Sequence, residues 1–82
     1  MYTILNTTPN SISISQGEKL MKVLGESFER GYGSPDFIID ISSIHDWVIK
    51  DKIQPINFDE QQIIIKFLLD ELTSKGWSIT AE

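Results

Sequence analysis

Apolar and polar residues alternate along Ser11-Ile12-Ser13-Ile14-Ser15, and residues 2–7 are rich in β-branched types. A period of two marks a strand with one face buried. Thr8-Pro9-Asn10 supplies turn chemistry between these runs, so the chain opens as a β-hairpin, or as one strand with an irregular lead-in. Beyond it the period lengthens. Ser15-Gln16-Gly17-Glu18 fits a capping box, in which the serine oxygen accepts from a backbone N–H three residues on and the glutamate reaches back. Leu20, Val23, Leu24, Ser27 and Phe28 then recur at helical spacing, and Gly31-Tyr32-Gly33 supplies a stop. Gly25 falls inside this first predicted helix, where it costs about 1 kcal/mol relative to alanine. Close packing against a neighbouring element accounts for it.

Ser34-Pro35-Asp36 combines a cap, a first-turn proline and an acid near the positive helix end, and so starts a second helix. Phe37, Ile41, Ile44 and Val48 share one face of it, flanked by Ile38, His45 and Ile49. The run Phe37-Ile38-Ile39-Asp40-Ile41 is β-branched, so the rival reading is a strand followed by a short helix. The spacing favours the helix. Lys52 to Ile56 reads as a connector, because Pro55 bars any helix beyond about Gln54. Asn57-Phe58-Asp59-Glu60 is another capping box, opening a third helix over residues 58–75 that Gly76 terminates. Trp77-Ser78-Ile79-Thr80 alternates again, and Trp77 anchors this last strand in the core. The predicted fold is α+β in one small domain, residues 1–82: an N-terminal β-hairpin or strand, three helices, and a short C-terminal strand pairing with the N-terminal sheet.

The third helix has more apolar surface than a single stripe requires. Phe58, Ile65, Leu68, Leu69 and Leu72 form one face, while Ile63 and Phe67 lie nearly opposite, with Ile64 between. A surface helix needs one apolar stripe. Either this helix is central, with neighbours on two sides, or its Ile63/Phe67 face meets another chain, in a homodimer or a complex.

Charge narrows the function. Seven basic residues against twelve acids give a formal net charge of −5. The lysines and the single arginine are scattered, and nucleic-acid affinity rests on clustered Lys and Arg against phosphates, so direct nucleic-acid binding is disfavoured. An acidic surface suits solubility, a basic protein partner, or imitation of a phosphate backbone. There is no cysteine and only one histidine, which removes disulfides and zinc ribbons and leaves an all-protein zinc site improbable. No signal peptide and no membrane-span length of apolar residues is visible, so the expectation is a cytoplasmic protein. Abundant isoleucine with one alanine suggests an AT-rich bacterial or phage genome.

Reactive chemistry is weakly represented. Ser42, Ser43, His45 and Asp46 are the residue types of a nucleophilic triad, but near-neighbours on one helix point in different directions and cannot align. The carboxylate pairs Asp36/Asp40, Asp59/Glu60 and Asp70/Glu71 read as helix-start acids and solvated faces. Gly31-Tyr32-Gly33-Ser34 lacks the lysine of a phosphate-binding loop. No catalytic, metal or cofactor-binding residue is therefore assigned, and the chain is expected to be no enzyme. What remains is recognition. On the second predicted helix Asp36, Asp40, Trp47 and Asp51 share a side, an aromatic ringed by acids, and tryptophan is enriched at interface hot spots. The competing role for Trp47 is packing beneath the terminal strands. The expected function is a small acidic regulatory or inhibitory protein that binds a protein partner through Asp36, Asp40, Trp47, Asp51, Ile63 and Phe67. The alternatives are an acidic nucleic-acid mimic that occupies a DNA- or RNA-binding enzyme, and a small-ligand-binding domain.

Overall fold

The structure, a computed structural model, describes residues 1–27 and 36–82. Among them, the order is β1 (Thr3–Thr8), β2 (Ser11–Gln16), β3 (Lys19–Ser27), β4 (Phe37–Ile39), a 3-10 turn (Ile41–Ser43), β5 (Asp46–Ile49), β6 (Lys52–Pro55), α1 (Phe58–Ser74) and β7 (Ile79–Ala81). The described chain is thus mostly β, seven strands in a mixed sheet with one α-helix.

β1, β2 and β3 form an antiparallel meander, and β3 is long enough to fork the sheet. Near its start Leu20 pairs with Val48 of β5, whose hairpin partner is β6. Near its end Gly25 to Ser27 pair with Ile39 to Phe37 of β4, and β4 runs parallel to β7. The turns explain the hairpins. Gly17, at φ 63, opens the two-residue link between Gln16 and Lys19, which a side-chain-bearing residue adopts only with strain. Lys50 and Asp51 link β5 to β6 with φ 48 and 68, the twist-matching mirror-image turn built without glycine.

The inner face of the sheet carries the core. The cross-strand pairs Ile12–Val23 and Ile14–Met21 are buried there, with Phe37, Ile39, Ile44 and Trp47. α1 closes this face with Ile64, Ile65, Leu68 and Leu72. Its start is held by Asn57, whose side chain accepts from the Glu60 N–H at 2.8 Å. At its end the N–H of Gly76 reaches the Thr73 carbonyl and that of Trp77 the Leu72 carbonyl, both at 3.0 Å, a paired closure that needs Gly76 at φ 88. Gln61 bolts the helix to the 3-10 turn, donating from Nε2 to the carbonyl oxygens of Ile44 at 2.9 Å and Ile41 at 3.3 Å.

The three-helix α+β expectation is overturned in its first two helices. Residues 19–27 are β3, and the supposed cap at Ser15 to Glu18 is a hairpin turn. Leu20 and Leu24 imitated a helical spacing because both stand exposed on the outer side of a strand whose Met21 and Val23 are buried. The predicted stop Gly31-Tyr32-Gly33, Phe28, Ser34 and Pro35 lie outside the described residues. The second helix is replaced by β4, the 3-10 turn and β5. Asp40 breaks the run: its Oδ1 accepts from the Ser42 N–H at 3.0 Å, a local bond that competes with continued regular structure. The rival reading, a strand and then a short helix, is close to what forms. The Lys52–Ile56 connector contains β6, with Pro55 tolerated at a sheet edge. The last strand pairs with β4, not with the N-terminal hairpin. Gly25 does have a close neighbour: a β-carbon there would collide with the Ile38 carbonyl oxygen and the Phe37 ring.

Candidate functional site on the outer face of the sheet

α1 covers one face of the sheet, and the register shows what the other face presents. Alternation places Thr3, Asn6 and Thr8 of β1 opposite Ser15, Ser13 and Ser11 of β2, and these opposite Leu20, Lys22 and Leu24 of β3. One half of the face is therefore a bed of short hydroxyl and amide side chains. The other half is apolar, because Leu20 faces Val48 and Val48 faces Ile53. A register shift between Ile4 and Asn6 leaves Leu5 as an extra residue, and it joins this patch, lining a hollow with Leu20, Lys22 and Val48. Leu5, Leu20, Leu24, Val48 and Ile53 are 43% to 67% exposed. Scattered exposed apolar residues are ordinary, but a contiguous patch marks an interaction surface. On its polar flank Ser11 is buried and shares a 2.7 Å hydrogen bond with Thr8, which leaves Thr3, Asn6, Ser13 and Ser15 to form hydrogen bonds to a partner at small entropic cost.

At one end of the patch β3 diverges from β5, leaving a cleft of about 560 Å³. Leu24, Val48 and Ile53 line it with Lys22, Asp40 and Asp46. Both carboxylates are half engaged. Asp40 Oδ1 accepts from Ser42 Oγ at 2.6 Å as well as from its N–H, and Asp46 Oδ2 bonds to His45 Nδ1 at 2.7 Å. Ser43 ties the turn to the sheet: its Oγ donates to the Asp40 carbonyl at 2.6 Å and accepts from the Leu24 N–H at 2.9 Å. The two serine hydroxyls are thus occupied by local structure.

The residues singled out in the sequence do not form one stripe, since the helix that would have aligned them is absent. Asp36 precedes β4, and its Oδ2 accepts from the Ser78 N–H at 2.9 Å, clamping the last strand. Asp40 caps the 3-10 turn and Asp51 sits in the β5–β6 turn. Trp47 is fully buried: its Nε1 donates to Glu60 Oε2 at 3.1 Å, and its ring stacks on Tyr2 with centroids 6.0 Å apart. Packing, the competing role, is the one it takes. On α1, Ile63 is exposed, whereas Phe67 turns to the flank and meets the Tyr2 ring at 5.4 Å. Burial, and secondarily the Glu60 carboxylate, raise the Tyr2 pKa above 10.0. Leu5, Leu20, Leu24, Val48 and Ile53 were missed. A period-two reading of residues 19–24 would have placed Leu20 and Leu24 together on the side opposite Met21 and Val23.

Among the described residues, no group of three His, Asp or Glu side chains is placed to hold a metal ion. No helix there is long and apolar enough to cross a membrane. A comparison with protein families matches residues 4–82 to Immunity protein 74. The chain belongs to the Immunity protein 74 family. Searches of curated proteins and of solved structures return no match. An immunity protein works by binding a protein toxin, so the partner class of this small domain is a protein toxin.

Proposed function

We propose that the chain is a non-enzymatic inhibitor whose toxin docks on the outer face of the sheet. The observation that carries this reading is the gathering of Leu5, Leu20, Leu24, Val48 and Ile53 on one uncovered face. Fully burying an aliphatic side chain is worth about 1.5–3 kcal/mol. Five that start half exposed therefore supply on the order of 5 kcal/mol before the costs of association. The middle of the face is apolar around Lys22 and its edge carries Asp40, Asp46 and Glu26, the arrangement of a docking surface with a polar rim. The scarcity of carboxylates in that middle also weighs against nucleic-acid mimicry on this face, which needs them spaced along it. The net charge of −5 instead steers a cationic toxin surface toward the molecule, raising the association rate at low salt.

The test is the double variant Leu20→Lys/Val48→Glu. These residues face each other, so opposite charges keep the strand pair compatible while removing the apolar centre. Tagged wild-type and variant chains are used to capture partners from the producing cells. The captured protein must kill when expressed alone and be neutralised by the wild-type chain but not by the variant. Neutralisation by a folded variant contradicts the reading.

A further inference from the structure

We propose that the cleft between β3 and β5 receives an arginine side chain of the toxin; this rests on the docking face just described. The cleft shares Leu24, Val48 and Ile53 with the apolar patch, is large enough for a long side chain, and has Asp40 and Asp46 in its lining. Leu24, Val48 and Ile53 offer apolar wall for an alkyl stem and the flat side of a guanidinium, which is more weakly hydrated than an ammonium and carries five donors in a fixed fork. Asp40 and Asp46 each have one oxygen fixed by a neighbour and a second without a hydrogen-bond partner among the described residues. The anchored oxygens hold both carboxylates in place before anything binds, so little side-chain freedom is lost on binding. Lys22 lines the same cleft but makes no ion pair with either acid among the described residues, so it leaves them available. The lining sets two carboxylates against one lysine, with His45 held against Asp46, so a cation with apolar flanks complements it, whereas an anion would meet both acids.

The bare side chain provides the first arm of the test. The 15N-labelled protein is titrated with Nα-acetyl-arginine amide, and in parallel with its uncharged counterpart Nα-acetyl-citrulline amide. Saturable shifts at the Leu24, His45, Asp46 and Val48 amides with arginine alone, lost in Asp46→Asn, support the proposal. Equal shifts with citrulline, or shifts spread equally over Glu18, Asp59 and Asp70, overturn it. Equal affinity for Nα-acetyl-lysine amide overturns the choice of arginine. The toxin captured above provides the second arm. Asp46→Asn, and separately Asp40→Asn, which keeps the cap acceptor, should weaken binding about tenfold with the amide spectrum otherwise unchanged. If Leu20→Lys/Val48→Glu abolishes binding and neither asparagine variant weakens it, the cleft assignment falls alone. If the double variant binds normally, the docking face itself is wrong.

Discussion

Replacing Gly25 by alanine separates the β3–β4 pairing from a helical arrangement of the same residues, because the two give opposite signs. In an exposed helix interior, glycine to alanine gains about 1 kcal/mol. The Gly25 backbone lies outside the left-handed region, so alanine is conformationally allowed and, in open space, would stabilise by about 0.4–1 kcal/mol through the unfolded chain. The space is not open. The new methyl collides with the Ile38 carbonyl oxygen and with two carbons of the Phe37 ring. A side chain can rotate away, but the carbonyl belongs to the strand paired with β3 and moves only if that pairing shifts. Phe37 is also fully buried, so its ring has no solvent to retreat into. Overpacking of this kind costs typically 1–3 kcal/mol, leaving a net loss of about 1–2 kcal/mol. For a domain of this size that lowers the melting temperature by roughly 4–16 °C. Thermal melts of wild type, Gly25→Ala and Gly17→Ala provide the assay. Gly17 has nothing within 4 Å of an added methyl but sits at φ 63, so its loss, about 1 kcal/mol, reports backbone strain alone. A Gly25→Ala protein that melts higher than wild type would refute the β3–β4 packing.

Other outcomes follow from the same contacts. Asp51→Gly relieves a left-handed position in the β5–β6 turn and should raise stability by about 1 kcal/mol in denaturant titration. Gln61→Leu removes the donors serving the Ile41 and Ile44 carbonyls and should cost about 1–2 kcal/mol in the same assay. Tyr2 titrates above 10.0 when folded, so the folded state holds its proton longer than the unfolded state. Its contribution is neutral below pH 10.0 and turns destabilising as the pH rises past that value. Glu60→Gln should lower the Tyr2 pKa, followed by ring resonances in NMR, without restoring the ordinary value, since burial is the larger cause. An unchanged Tyr2 titration would remove Glu60 from that account.

What the sequence disclosed depended on whether each element's pattern was local. The β1–β2 hairpin was legible because serine and isoleucine alternate cleanly across a turn with proline and asparagine. α1 was legible from Asn57 at its start to Gly76 at its end, because both caps lie within a turn of the helix they close. β3 was hidden by its own outer face. Leu20 and Leu24 put apolar residues where a half-buried strand carries polar ones, and four-residue spacing then reads as a helix turn. The residues that disguised the strand are those proposed to meet the toxin, a place where local pattern and global fold are expected to disagree. β4 spans only Phe37–Ile39, too short to show a period, and its partner β7 lies some forty residues away in sequence. Trp47 was ambiguous because the same indole suits a hot spot and a core. Its hydrogen bond to Glu60, thirteen residues on, resolves the choice and carries no local signature.

The proposed docking of the toxin on the outer face is most directly tested with methyl-labelled protein. Isoleucine, leucine and valine methyl spectra are recorded with and without the toxin. The account predicts large shifts or broadening at Leu5, Leu20, Leu24, Val48 and Ile53, with the exposed Ile63 on α1 unchanged. Perturbation centred on Ile63, with Leu20 and Val48 unmoved, would contradict it.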